Sequence, residues 1–243
     1  MIRLAASADV HFGTESAGTL RPQLTDLPER ADVYVLCGDL TRSGDANEAS
    51  ILAEELAGIE IPIVAVLGNH DYHSGQEDVV RKVMEESGVT VLEGEATTIT
   101  TAGGRVGIAG TKGFGGGFAG ACATEFGEGE MKSFIGHTKM LSAKLEDAIN
   151  SLNGDARVVL THYAPVKATL VGEKLEIYPF LGSYLLGEAV DRAGADLVLH
   201  GHAHAGTEKG VTPGGIHVRN VALPVIKHVY NVYCFGGDAL DSC

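Results

Sequence analysis

The stretch IPIVAVLGNHDYHSGQEDVVRKVMEESG, residues 61–88, decides how this chain is built. Its first eight residues are apolar and rich in β-branched side chains, the signature of a short buried strand. Its last thirteen read as a charged helix closed by Gly88 at a C-cap position. Between the two lie Asn69, His70, Asp71 and His73. A strand that runs through a polar turn into a helix is the repeating unit of a layered α/β sheet. In such sheets ligands collect at the carboxyl ends of the strands.

The same unit precedes this stretch. IRLAASA (2–8) and DVYVLCG (32–38) read as strands, and NEASILAEELAGI (47–59) as a helix with Ile51, Leu52, Leu56 and Ile59 on one face. The opening half is therefore βαβαβα. Next, VTVLEG, ATTITTAG and RVGIAG (89–110) predict three short strands, expected to be antiparallel. Residues 111–130 carry seven glycines and no periodicity, so the segment is either a mobile lid or a plain surface loop. A helix near 132–152, the strand ARVVLTH (156–162), a helix around 182–193 and the strand ADLVLHG (195–201) follow. VTPGGIHVRNVA and VIKHVYNVYCF close the chain as a terminal hairpin or meander. No repeat or linker divides the chain, so a single domain over 1–243 is expected.

Composition narrows the function classes. With 18 Lys and Arg against 32 Asp and Glu, the formal charge is −14. Such a chain lacks the basic surface that binding to nucleic acid or anionic membrane requires. No apolar run reaches membrane-spanning length, and MIRLAASADVHFG reads as a first strand rather than a signal peptide. Cys37, Cys122, Cys234 and Cys243 show no CxxC spacing, and a reduced, cytoplasmic protein is expected. The apolar terminal strands offer an edge that could pair with a second copy in a homo-oligomer.

Side chains able to do chemistry cluster where strands end. SADVHFG supplies Asp9 and His11, two residues apart, which extended backbone would point to one side. LCGDLTRSG supplies Asp39, and VLGNHDYHSG supplies Asn69, His70, Asp71 and His73. VVLTHYAP supplies His162, and VLHGHAHAG supplies His200, His202 and His204. Each motif alone is weak. Five in succession along one chain are not an ordinary set of turns.

In this order D9-V-H11, G38-D39, G68-N69-H70-D71, H162 and G201-H202-A203-H204 resemble the motifs of the calcineurin-like metallophosphoesterases. The resemblance implies a four-layer αββα sandwich of two mixed β-sheets flanked by helices. It implies two metal ions, one held by Asp9, His11 and His204, bridged through Asp39 to a second held by Asn69, His162 and His202. His200 falls outside that frame and is expected to be a packed residue. The mixed nitrogen and oxygen donors suit Mn, Fe or Zn without choosing among them. The implied reaction is hydrolysis of a small phosphodiester or phosphomonoester by a metal-bridging hydroxide, with His70 assisting the leaving group. Asp71 would fix the tautomer of His70. Bound metal would make the pocket locally positive within an acidic chain.

Other residues carry two readings each. Arg42 either meets a substrate phosphate or is solvated, and His73 either lines the pocket or is a polar loop residue. Tyr163 either flanks the pocket or is simply packed. Phe114 and Phe118 either stack on a nucleobase or anchor their own loop. His137, His217 and His228 match no motif position and read as structural or surface residues. Two further functions compete: a nuclease, which needs a basic groove beside the metals, and a metal-stabilised scaffold with little catalysis, which needs no leaving-group acid.

Overall fold

The computed structural model describes residues 1–236 together with the backbone of 241 and 242. Its strands are β1 (Ile2–Ser7), β2 (Val33–Cys37), β3 (Ile63–Val66), β4 (Thr90–Val91), β5 (Glu95–Thr101), β6 (Gly104–Thr111) and β7 (Gly117–Phe118), then β8 (Ala121–Cys122), β9 (Ala156–Thr161), β10 (Leu197–His200), β11 (Lys209–Val211), β12 (His217–Asn220), β13 (Asn231–Phe235) and β14 (Asp241–Ser242). The helices are α1 (Leu27–Arg30), α2 (Ala46–Leu56), α3 (Glu77–Glu86), α4 (Gly129–Asn150), α5 (Tyr178–Leu181), α6 (Tyr184–Ala193) and α7 (Leu223–Ile226).

Two six-stranded sheets form the centre. The first has the order β14-β13-β1-β2-β3-β4 and the second β11-β12-β10-β9-β6-β5. Strands β1 to β4 run parallel, as do β6, β9, β10 and β12. Antiparallel strands complete each sheet: β13 and β14 in the first, β5 and β11 in the second.

Strand alternation explains the layering. On β1, Ile2, Leu4 and Ala6 face a core shared with Val158 and Leu160 of β9 and Leu197 and Leu199 of β10. Ala5, on the other face, packs with α2 and α3. On the second sheet Val159 and Val198 face outward onto Leu145 and Ile149 of α4 and Leu186 and Val190 of α6. Both faces of each sheet are thus covered, which is why the strand sequences read as continuous apolar runs rather than alternating ones. The molecule is a four-layer αββα sandwich.

Helix α2 starts where Asp45 accepts a hydrogen bond from the Asn47 amide at 2.8 Å. Its buried stripe is Ala49, Leu52, Ala53 and Leu56, the i, i+3, i+4, i+7 spacing of a helix face. Ile51 and Ile59 lie at the flank of that stripe, partly buried. Two of the four stripe residues are alanines, which a search for large apolar residues overlooks.

Several expectations are corrected. Of the three short strands predicted over 89–110, only β5 and β6 form an antiparallel pair; β4 runs parallel beside β3 in the other sheet. Segment 111–130 is not a plain loop along its whole length. It holds the β7–β8 hairpin, and the amides of Gly116 and Gly117 donate to the carbonyls of Pro179 and Gly182, both at 2.7 Å. The closing residues do not form one meander: β11 and β12 pair in the second sheet, 223–226 is helical, and β13 joins the first sheet. Cys37 and Cys122 are free thiols, and Cys243 lies outside the described residues. Among the described residues no helix is long and apolar enough to cross a membrane.

His200 closes β10. It is fully buried, its Nδ1–H donates to the Gly201 carbonyl at 2.8 Å, and its Nε2 pairs with the Thr169 hydroxyl at 2.9 Å. Burial pushes this imidazole down to about 4. An unfolded histidine gains its proton near pH 6.5, so between those values the unfolded chain binds the extra proton. Stability contributed by neutral His200 is therefore full above pH 6.5 and lost as pH falls toward 4, by up to about 3 kcal/mol. Urea unfolding of the metal-free protein at a series of pH values should show this decline, and His200→Gln should make it shallower, with buried His202 supplying a similar remaining slope.

Candidate active site

The strand ends of both sheets meet in one place, and backbone geometry there is unusual. Asp9, His11, Asp39 and His202 adopt positive φ angles of 61°, 44°, 51° and 70°. Among the described residues Lys227 is the one other non-glycine with positive φ. Left-handed backbone costs an L-residue roughly 1–2 kcal/mol, and such strain concentrates at functional sites. Asp9 and His11 do converge, although not by strand alternation: β1 ends at Ser7, and two left-handed residues turn the side chains inward. Their amides donate to the carbonyls of Gly38 and Asp39, each at 3.0 Å, which ties the end of β1 to that of β2.

The first group is Asp9, His11 and His204, whose ligand-type atoms lie within 4.8 Å of one another. His204 Nε2 is 2.8 Å from Asp9 Oδ1. His11 Nε2 lies 3.9 Å from Asp9 Oδ1 and 3.6 Å from Asp39 Oδ2, and it is buried with no hydrogen-bond partner. A second group joins Asp39, His162 and His202, and a third joins His11, Asp39 and His70. Asp39 stands between the histidines of the two sheets.

Backbone carbonyls set the tautomers. His162 is fully buried and its Nδ1–H donates to the Cys37 carbonyl at 2.9 Å. In a neutral imidazole that leaves Nε2 as an acceptor. Yet Nε2 faces two more acceptors, Asn69 Oδ1 at 2.9 Å and Asp39 Oδ1 at 3.2 Å. Three converging acceptors fit a cation between them. His202 Nε2–H likewise donates to the Phe180 carbonyl at 3.0 Å, which leaves Nδ1 for the site. Such carbonyl partners are what orient metal-binding imidazoles.

Charge states agree with that arrangement. Burial is the main cause that pushes His202 down to about 4, and burial lowers His11 as well. Burial would raise Asp9, but its hydrogen bond with His204 leads the opposing effects that hold the carboxyl below its ordinary value. The same bond raises His204.

Two glycines are demanded by space. A Cβ on Gly68 would fall 2.1 Å from the Asp39 amide and carboxylate, and one on Gly201 would fall 2.2 Å from Asp9 Oδ2. The glycines before Asn69 and His202 therefore let the next strand end close onto each carboxylate.

His70 donates from Nδ1 to the Arg42 carbonyl at 2.6 Å, and its Nε2 faces the site 3.9 Å from Asp39 Oδ2. The Arg42 carbonyl thus holds the place expected for Asp71. Asp71 is fully buried and accepts instead from the amides of Leu40 (3.1 Å), Thr41 (2.8 Å) and Gly68 (2.7 Å), and from the Thr41 hydroxyl (2.6 Å). It binds the loop after β2 to the loop after β3.

The substrate-contact candidates separate. The Arg42 guanidinium pairs with Glu15, with both side chains exposed. His73 is exposed, with its ring centroid 6.3 Å from that of His70. Phe118 is buried among Ala164, Leu170, Tyr178 and Leu181, so it anchors its own loop and presents no face for stacking. Phe114 lines a cleft of about 610 Å³ that begins at Asn69 and is shared with Tyr72, Lys112, Phe134 and Tyr163. His137, read from sequence as structural or surface, lines this cleft as well. Tyr163 is both packed and placed, its ring 4.5 Å from that of His202. Burial pushes its hydroxyl up to about 12. Lys112 escaped the sequence reading because a lysine after a glycine-rich strand is not a metal donor. Burial lowers the pKa of its ammonium.

The model of the calcineurin-like phosphoesterases matches residues 2–206. The chain belongs to this family. Among solved structures it is similar to a phosphopantetheinyl hydrolase from Mycobacterium tuberculosis, with a TM-score of 0.62 and 14% identity over 92% of this chain and 90% of that one. A putative 5′-nucleotidase from Staphylococcus aureus gives a TM-score of 0.61 at 14% identity, covering 100% of this chain and 53% of the other. Such identities speak for the fold alone. No curated protein matches the sequence.

A metal ion bound by His204 and Asp9 would displace the proton that they share. Because His204 is raised, its protonated form is more populated at low pH and fades as pH rises. Addition of Mn²⁺ to metal-free protein in weak buffer should release more protons per chain at pH 6.5 than at pH 8.5. In His204→Ala the difference should shrink. Equal release at both pH values in the wild type would contradict the assignment.

Proposed function

We propose that the protein is a binuclear metal-dependent phosphoester hydrolase acting on a small phosphorylated substrate. The observation that supports this most is the meeting of His162 Nε2, Asn69 Oδ1 and Asp39 Oδ1 as mutually facing acceptors beside the orphaned His11 Nε2. On this reading Asp9, His11 and His204 hold one ion, Asn69, His162 and His202 hold the other, and Asp39 serves both. The donor set suits Mn, Fe or Zn. Two bound divalent ions would polarise the phosphoryl oxygens and supply a nucleophilic hydroxide at neutral pH.

The chain's own part in the reaction falls to orientation and proton movement. His70 Nδ1–H is committed to the Arg42 carbonyl, so Nε2 is the atom that carries a proton to the leaving oxygen. The backbone amide of His70 donates to Asp39 Oδ1 at 2.8 Å and holds this acid at a set distance from the centre. Asp71 keeps both loops in place. A scaffold would have no use for an imidazole so anchored. The acidic chain gives no support to a nuclease.

The names of the two structural neighbours, a hydrolase of a phosphopantetheinyl group and a putative nucleotidase, accord with phosphoester chemistry on small molecules. Purified protein with Mn²⁺ should cleave 4-nitrophenyl phosphate or bis(4-nitrophenyl) phosphate. His70→Ala should lower kcat by about 10²–10⁴-fold, the usual worth of a positioned acid, while elemental analysis shows its metal retained. Absence of turnover across a broad panel of phosphoesters, with metal bound, would reject the proposal.

A further inference from the structure

The cleft beside Asn69 contains a charge that the proposed hydrolysis does not use. Lys112 follows β6 directly, and its carbonyl accepts from the amides of His162 and Tyr163 at 3.0 and 3.1 Å. The residue is thereby fixed next to the metal-site histidine, at the same edge of the sheets as the other strand ends. Its side chain is only 6% exposed.

The ammonium is ringed by aromatic faces. Its Nζ lies 4.5 Å from the ring centroid of Tyr72, 5.0 Å from Phe114 and 5.5 Å from Tyr163. Among the described residues it makes no direct hydrogen bond or ion pair, although the carboxylates of Glu93, Glu77 and Asp39 act on it through space. The nearby Glu93 carboxylate is occupied by the Leu67 amide at 3.2 Å and the Tyr72 hydroxyl at 3.3 Å. Cation–π contact offsets part of the cost of burying an ammonium but supplies no acceptor for its three N–H groups. A desolvated cation with free donors, on the wall of a cleft sized for a small ligand, is a site for an anion.

The walls say more about that ligand. Phe114 meets Phe134 at 5.0 Å and His137 at 4.9 Å between ring centroids. Flat apolar faces thus line the space between Asn69 and the rim at Glu130 and Ser133. We propose that this cleft receives the organic part of the substrate, and that Lys112 binds a second anionic group, a carboxylate or phosphate, carried on that part. The inference rests on the phosphoester reading of the centre and adds the substrate class: phosphoesters whose organic moiety is itself negatively charged.

The test uses binding, so that it does not depend on turnover. The probes are phenylphosphonate and 4-phosphonobenzoate, which differ by one carboxylate, titrated calorimetrically into the Mn²⁺-loaded protein. Wild type should bind the carboxylated probe more tightly, by roughly 10- to 100-fold, the range for a charge-assisted hydrogen bond out of water. Lys112→Met should bring the ratio of the two dissociation constants close to one, and Lys112→Arg should keep part of it. A ratio near one in the wild type, which needs no variant, would overturn the proposal. So would a ratio that survives in Lys112→Met. Wild-type preference for the carboxylated probe without turnover of any phosphoester would count against the hydrolase reading and leave the anion site standing.

Discussion

Lone pairs facing one another without a positive charge between them repel, and this constraint underlies the whole site. His162 Nε2, Asn69 Oδ1 and Asp39 Oδ1 point together, while His11 Nε2 is buried with nothing to bind. A folded chain keeps such a cluster only if the surrounding structure holds it firmly. Here two packed sheets do so, each presenting parallel strand ends to the same edge. The contact from His162 on the second sheet to the Cys37 carbonyl on the first fixes the sheets' ends together as well as the tautomer.

The holding is distributed across residues with no chemical role of their own. Asp71 gathers four hydrogen bonds from two loops, and the carbonyls of Arg42, Cys37 and Phe180 each take one imidazole proton. Left-handed backbone at four of the site residues is the local cost of aiming them inward. Lys112 follows the same strand-end logic with the opposite sign of charge, which places an ammonium beside the cluster of carboxylates and imidazoles.

Much of this was legible in the sequence, for a physical reason. Strand-end motifs such as G68-N69 and G201-H202 are short because steric closeness fixes them: glycine must stand where the next strand end closes on the carboxylate, and the candidate ligand follows it at once. The motifs behind the family resemblance therefore pointed to Asp9, His11, Asp39, His162, His202 and His204, which the fold brings together, and apolar runs located most strands. What could not be read was anything that depends on partners distant in the chain. Asp71 sits beside His70 yet bonds elsewhere, because the Arg42 carbonyl reaches His70 from another loop. The pairing of β4 with β3, the burial of Phe118 and the aromatic ring around Lys112 are likewise products of packing, with no local pattern to announce them.

The most direct test of the account is an anomalous-scattering map of crystals grown or soaked with Mn²⁺. Two peaks are predicted. One should lie among Asp9, His11 and His204 and the other among Asn69, His162 and His202, with Asp39 adjoining both. A single peak, or none within reach of Asp39, would contradict the binuclear centre.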